Sequence, residues 1–275
     1  MRTSTIAGID AHGRGSARDN GAMTFDHTLR EMALSGDATG ARTLADQVAI
    51  DLHRGILRGE FAGGSQLKIN ELAERYETSA MPIREALRRL TALGMVEIQP
   101  HRGARVLPLS LEDMRDTMML RLSLEPLAVE RAAAAFGGEV ATEATAALSR
   151  MESGVNVGDR ASARIAHSDF HLGLYRASGS HWLVRLIEPL WHNADRYRFA
   201  YPLSDDDQEQ SNHEHREILA ACLIGDAARA GEAMRSHLER SMKRVEALLI
   251  EAQHATSAEA SDDPTSNQTV NGSAG

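Results

Sequence analysis

Residues 79–106 read SAMPIREALRRLTALGMVEIQPHRGARV, and this stretch decides the fold of the first half of the chain. Ser79 is a favourable helix N-cap, and Pro82 falls in the first turn, where its missing N–H costs little. Apolar residues then recur at helical spacing as far as Leu90, and Gly94 predicts the end of the helix. The strand-like runs MVEI and ARVL follow, separated by QPHRG, whose Pro and Gly favour a tight hairpin. The stretch therefore predicts a helix and a two-stranded hairpin.

Two further helices are predicted before this stretch. Apolar residues recur every four positions over residues 43–57, which indicates an amphipathic helix. The Gly-rich residues 60–66 predict a loop, and residues 69–76 carry one apolar stripe at helical spacing. Three helices followed by a hairpin is the order of a winged helix-turn-helix. We therefore predict a DNA-binding domain of this class over residues 41–107.

The third predicted helix has a face that could enter a major groove. With its apolar side chains turned inward, Arg84 and Arg88 lie one turn apart on the outer side, near Ser79 and Met81. The alternative is a solvated surface helix whose arginines pair with Glu85. At the hairpin tip, the His and Arg of QPHRG could reach phosphates or the neighbouring minor groove.

The charge of the chain is divided unevenly. The formal net charge of the 275 residues is -9, which by itself argues against nucleic-acid binding. Residues 43–107, however, hold nine Arg and Lys against eight Asp and Glu, whereas residues 108–251 hold sixteen against twenty-three. A nearly neutral first block can still bind DNA if its basic side chains gather on one face.

Composition also indicates the cellular compartment of the protein and the role of its single cysteine. A hydrophobic content of 42% suits a globular protein of about two domains. No apolar run approaches the roughly 20 residues that span a bilayer, and the N-terminus lacks the apolar core of a signal peptide, so we expect a cytoplasmic protein without membrane contact. The single Cys222 is more typical of a buried filler than of a nucleophile.

The second block, residues 108–251, reads as one helix after another. Ser110 is a plausible cap for the first of them, and short Gly- or Asp-containing breaks separate six or seven helices. An all-α bundle is therefore predicted. Residues 1–40 and 252–275 carry many small and polar residues without periodicity, and both ends are predicted to be disordered.

Two histidines in the second block have the spacing of metal ligands. His167 and His171 stand four residues apart in AHSDFHLGLY, so one helix could direct both rings at the same atom. His215 and His237 lie on two later predicted helices, whose apolar stripes would turn them toward the same interior. The alternative is accident, because the chain contains 12 histidines.

The first block resembles the N-terminal domain of the GntR family of bacterial transcription regulators. The likeness runs over residues 44–107 and is most specific in PIREALRRL, GMVE and RGARV. It implies that the helix beginning at Ser79 is the recognition helix and that Arg84 stands at the base-reading position. Ala80 and Met81 depart from the Arg-Thr of many members. The DNA-contacting residues expected from spacing and resemblance together are Asn70, Ser79, Met81, Arg84, Arg88, His101 and Arg102.

The second block resembles the ligand-binding domain of the FadR branch of that family, the type whose effector pocket holds a metal ion. The matching residues are Arg121 in LRLSLEPLA, His171 in FHLGLY, His215 in EHREIL and His237 in MRSHL. Four residues before the first of these histidines the branch usually has Asp or Asn, but this chain has His167. The resemblance implies a metal held by the three matching histidines, with His167 as a fourth ligand.

The ligand set indicates which ion and which effector to expect. Imidazole ligands favour Zn, with Ni or Co as alternatives, over Mg or Ca. Four neutral ligands leave the charge of the ion uncompensated, so an open position would attract an anion. Arg121 could clamp the same carboxylate through two parallel hydrogen bonds, or it could pair with Glu125 one turn later. A small organic acid is the expected effector.

These features predict a ligand-responsive transcription regulator, in the first instance a repressor. We expect a homodimer, because a single recognition helix makes too few base contacts for useful specificity. An all-α metallohydrolase is the alternative, since the same metal could activate water. The zincin signature, however, needs Glu directly after the first histidine, where Ser168 stands. A third possibility, an architectural DNA binder without an effector, is disfavoured by the large acidic second block.

Overall fold

The computed structural model describes residues 43–100 and 102–261, and it has a small winged domain followed by a helical bundle. In chain order the elements are α1 (Leu44–Leu57), β1 (Gln66–Leu67), α2 (Ile69–Arg75), α3 (Ala80–Ala92), β2 (Val96–Gln99), β3 (Gly103–Val106), α4 (Leu111–Ala133), α5 (Gly138–Asn156), α6 (Arg160–Ala177), α7 (His181–Ala200), α8 (Asp205–Leu223) and α9 (Ala227–Ser261). The predicted mainly helical fold with a hairpin wing is confirmed.

The winged domain is organised by α1, which packs against α3. Thr43 and Asp46 cap the start of α1 reciprocally, each side chain bonding the backbone N–H of the other. Asp46 also pairs with Arg89 on the buried side of α3. The ion pair and the apolar core, in which Val48 and Leu87 are almost fully buried, hold the outer face of α3 in a fixed orientation.

The wing contains a third strand that the sequence did not reveal. The sheet order is β1-β3-β2 and all pairs are antiparallel, with Gln66 opposite Arg105 and Leu67 opposite Ala104. The loop predicted over residues 60–66 therefore ends one residue too late, because Gln66 already belongs to β1. A strand of two residues is too short to show alternation, and only its pairing with β3 defines it.

The second domain buries four large aromatic side chains among α4 to α9. Phe170, Tyr175, Trp191 and Tyr197 are all at most 2% exposed, and α9 packs along α4 for much of its length. These six helices agree with the predicted number. No helix of the described part is long and apolar enough to cross a membrane.

The predicted domain boundary at residue 251 needs correction. Helix α9 continues through Ser261, so residues 252–261 are helical rather than disordered. The physical reason is composition, because four of these ten residues are alanine, the best helix former, even though the segment has no apolar stripe. Residues 1–40, 262–275 and their predicted disorder lie outside the described residues.

Helix α7 joins the two domains. Arg196 on α7 is 5% exposed, and its guanidinium donates hydrogen bonds to the carbonyl oxygens of Gly94 and Leu107, the first at 3.3 Å. Tyr197 Oη donates to the Ser110 carbonyl oxygen at 3.1 Å. The turn after α3 and the linker between the domains are therefore both attached to one helix of the bundle.

The backbone packing in the wing can be tested by replacing a glycine with alanine. Gly103 has φ +98°, and a Cβ there would collide with the Leu67 carbonyl oxygen, whereas Gly59 has φ +77° with nothing within 4 Å. Gly59→Ala should lower the free energy of unfolding by the strain of positive φ alone, about 1–2 kcal/mol. Gly103→Ala should lower it further, because β1 must move away from β3. Equal losses in chemical denaturation would show that the wing accommodates the methyl group freely.

Candidate functional site

Four histidines meet inside the helical domain. His167 and His171 project from α6 one turn apart, His215 comes from α8 and His237 from α9. One ring nitrogen of each lies within 4.8 Å of those of the others. His171 and His215 are fully buried, His237 is 5% exposed, and His167 is partly exposed. All four residues singled out as metal ligands from the sequence are therefore brought together.

The closest approach in the cluster is between His171 Nε2 and His215 Nε2, which lie 2.9 Å apart. Two nitrogens bound at about 2.1 Å to one tetrahedral ion would be separated by about 3.4 Å, so a shift of about 0.5 Å would bring the two rings to ligand spacing. The aromatic wall beside them is Trp191, whose ring centroid is 4.8 Å from that of His171 and 5.3 Å from that of His167. The arrangement suits two ligands in adjacent coordination positions.

Burial keeps these imidazoles neutral. Desolvation lowers the pKa of both His171 and His215 well below the ordinary value, and neighbouring histidines lower it further. Burial also lowers the pKa of His237, although Glu214 opposes that shift. Neutral rings are the form in which histidine binds a metal, because each keeps one lone pair.

His237 is oriented by a buried carboxylate. Glu214 is 1% exposed and accepts hydrogen bonds from His237 Nδ1 at 2.7 Å and from Arg240 Nε at 2.6 Å. Although burial alone would raise the pKa of Glu214, its bonds to His237 and Arg240 lower it, so the carboxylate is charged. With its Nδ1–H donated to Glu214, His237 keeps the Nε2 lone pair for the cluster.

His171 is oriented by a chain of polar groups that ends at Arg121. Its Nδ1 lies 3.1 Å from Tyr175 Oη, which donates to Glu125 Oε2 at 2.5 Å. Glu125 in turn accepts two hydrogen bonds from Arg121, the shorter at 2.5 Å. The tyrosine oxygen therefore accepts from His171 Nδ1–H, leaving Nε2 as the ligand atom.

Arg121 occupies a different environment from the one expected of an effector clamp. It is 3% exposed, its guanidinium fork is bonded to Glu125, and it lies 5.1 Å from the ring centroid of Trp191. This is the helical i, i+4 pair that the sequence left open as an alternative. Its direct contact with an effector stays a prediction.

A cavity of about 290 Å³ opens beside the histidines. His167, His237 and Arg198 from α7 form part of its wall. Arg198 Nη1 is 3.4 Å from His167 Nδ1, and its guanidinium stacks 4.3 Å from the Trp191 ring centroid. A small molecule in this cavity could therefore reach an ion held by the cluster.

The expected DNA-contacting residues lie on the surface of the winged domain. The exposed members of the set are Asn70, Ser79, Met81, Arg84, Arg88 and Arg102. Arg84 has no ion pair with the described residues, whereas Arg88 pairs with Glu85 at 2.8 Å. Arg88 and Arg89 hold the pKa of Glu85 at about 2. His101 lies outside the described residues.

Several residues of the site were not found from the sequence. Glu214, Tyr175 and Arg198 were not recognised because contacts with other helices define their roles, Glu214 with His237, Tyr175 with Glu125 and Arg198 with His167. A signal existed for Tyr175, which stands one turn after His171 on α6. A weak signal existed for Glu214, which directly precedes His215 in HEHRE. Cys222 on α8 is fully buried, and burial raises its pKa to about 12, so its thiol is not a nucleophile at neutral pH.

Comparison with known proteins gives the same two blocks. Residues 44–106 match the gntR family of bacterial regulatory proteins, and residues 116–240 match the FCD domain. The chain is 32% identical over 214 residues to the HTH-type transcriptional regulator BphR of Paraburkholderia xenovorans, covering 74% of this chain and 86% of that protein. It is 33% identical over 196 residues to the HTH-type transcriptional repressor GlaR of Escherichia coli, covering 68% and 89%.

A solved structure supports the fold. The Escherichia coli protein McbR/YncC superposes with a TM-score of 0.61 at 23% identity, covering 77% of this chain and 99% of that one. The likeness extends over both domains, so the order of a winged domain and a helical bundle is shared.

The buried histidines predict acid sensitivity of the metal-free protein. His171 and His215 have lowered pKa values when folded and ordinary values of about 6.5 when unfolded, so the unfolded chain binds more protons below that pH. In the presence of a chelator, the free energy of unfolding should decrease as the pH is lowered below about 6.5. The decrease should be up to about 1.4 kcal/mol per pH unit for each histidine. His215→Asn should flatten this slope, while His213→Asn, which alters an exposed ring, should not. An unchanged slope in His215→Asn would contradict the assignment.

Proposed function

Because the chain belongs to the GntR family of bacterial regulatory proteins, we propose that this DNA-binding transcription regulator is a homodimeric repressor controlled by a small organic acid bound beside a metal ion. The observation that carries the proposal is the meeting of four histidines from three helices at the edge of a cavity. Operator DNA lies in the bacterial cytoplasm, and we place the protein there. The metallohydrolase alternative is set aside, because the family and the relatives are regulators and not enzymes.

DNA reading is assigned to the outer face of α3. Arg84 is exposed and has no ion pair within the described part of the chain, so it can form two hydrogen bonds to a guanine edge without breaking an existing contact. Arg88 would first have to exchange Glu85 for DNA. Arg102 is exposed at the wing and is assigned to phosphate contact.

Dimerisation is supported by an apolar face on α4. Met119, Leu120 and Leu127 are 58%, 45% and 46% exposed, an unusual cluster for one side of a helix that carries the core on its other side. A two-fold dimer would cover this face and would present two recognition helices to a symmetric operator.

The histidine cluster fits a divalent transition metal by its donor chemistry. Its buried rings are neutral, and the Nδ1 atoms of His171 and His237 are engaged by Tyr175 and Glu214. These partners leave Nε2 atoms to face a shared centre. Imidazole donors favour Zn, with Ni and Co as alternatives. A bound ion would supply a positive charge that attracts the carboxylate of an effector into the cavity.

Helix α7 offers a physical route from the effector to DNA. Arg198 lies at the cavity, and Arg196, two residues earlier, bonds the Gly94 carbonyl oxygen just after the recognition helix. An acid that draws Arg198 toward itself would favour one position of α7 over another. Couplings between two sites are typically about 1–3 kcal/mol, which is enough to change operator occupancy severalfold or more.

The DNA assignment predicts different behaviour for two arginines. Arg84→Ala should weaken operator binding by about 1–3 kcal/mol and affect random DNA much less, because a base contact is lost. Arg102→Ala should weaken both and reduce the salt dependence, because a phosphate contact is lost. The measurement is a titration with operator and random duplexes at several salt concentrations. Equal loss on both duplexes for Arg84→Ala would remove it from the reading face.

The metal assignment predicts the ion content of matched histidine variants. Native mass spectrometry of the purified protein should give the mass of two chains with one ion per chain. His171→Ala should lose the ion, and His213→Ala, which alters an exposed ring on α8, should keep it. His167→Asp restores the usual ligand of the branch and should also keep it. Full ion content in His171→Ala would show that the cluster is structural.

A further inference from the structure

The cavity beside the histidine cluster carries far more positive than negative charge. Its wall includes Arg160, Arg164, Arg198 and Arg244, whereas Asp205 is the one carboxylate among its described lining residues. This excess exists before any ion is placed at the histidines. A metal ion would add to this positive charge. A single carboxylate bound at the ion would therefore leave most of the positive charge uncompensated.

Arg244 lines the cavity and has a buried donor that could bond to a ligand. Its Nε is buried and has no hydrogen-bond partner among the described residues. A buried N–H without an acceptor costs free energy, and a charged one costs more. Arg198 pairs with Asp195 at 2.9 Å, and Arg164 stacks 4.2 Å from the Phe199 ring centroid.

Arg244 lies about two helical turns from His237 on the same face of α9. His237, Ser241 and Arg244 line the cavity at positions i, i+4 and i+7 of α9, so they share one face. Seven residues span about 10 Å along a helix, and a flexible arginine side chain can shorten that gap by several ångströms. An anion bound by Arg244 would thus lie several ångströms from an anion bound at the histidines.

We infer that the effector carries two anionic groups on a short carbon chain, one at the histidine-bound ion and the other at Arg244. This inference rests on the effector site proposed above and specifies the class of acid. The second group is a carboxylate or a phosphate, since arginine binds both in the same way. A monocarboxylate would fill only the first position.

Isothermal titration of the metal-loaded full chain tests the inference. The probes are straight-chain dicarboxylates of three to six carbons and the monocarboxylates of equal length, at pH 7.5 and constant ionic strength. The best dicarboxylate should bind at least tenfold more tightly than its monocarboxylate. Equal affinities would overturn the inference while leaving the proposed control by an acid intact, and absence of binding by every acid would overturn both.

A variant pair assigns the second position. Arg244→Gln should reduce the ratio of dicarboxylate to monocarboxylate affinity tenfold or more, whereas Lys243→Gln, which alters the exposed neighbour, should leave that ratio unchanged. An unchanged ratio in Arg244→Gln would overturn the role of Arg244. Comparing succinate with 3-phosphonopropanoate, each against its monoanionic counterpart, then tells whether the second group is a carboxylate or a phosphate.

Discussion

Three buried imidazoles, those of His171, His215 and His237, meet inside the helical domain beside the partly exposed His167, and burial disfavours a charge on each of the three. The partners of His171 and His237 determine which ring nitrogen keeps its proton. Tyr175 bonds through Glu125 to Arg121 on α4, and Glu214 accepts directly from Arg240 on α9, so the polar contacts extend from the histidines to both helices. The polar interior therefore links α4, α6, α8 and α9 into one arrangement.

In the winged domain, buried contacts hold the exposed face of α3 in a fixed orientation. The buried pair of Asp46 and Arg89 ties α3 to the capped start of α1, so the outer arginines of α3 project from a fixed support. Arg196 then attaches the end of α3 to the bundle. The contact is made through backbone carbonyl oxygens, and it depends on the position of α7 more than on the residue types in the turn.

The sequence predicted most of the fold because its signals are local. The cap at Ser110 and the apolar stripes of α1 and α3 involve residues within a few positions of one another. Strand β1 was not predicted from the sequence, because only its pairing with the distant strand β3 defines it. The histidines were found because two lie one turn apart and the other two match a family pattern. The contacts of Tyr175 with Glu125, of Glu214 with His237 and of Arg198 with His167 join residues that are distant in sequence. Local periodicity contains no information about such contacts.

Cys222 has a practical consequence for studying motion in this protein. Its thiol is fully buried and its pKa is raised to about 12, so maleimide reagents will react with the native protein slowly. A cysteine introduced on the wing or on α7 would then be the dominant labelling position for a fluorophore or a spin label, without prior removal of the natural thiol. Reaction of Cys222 itself would report opening of the bundle, so one reagent can follow both domain movement and unfolding.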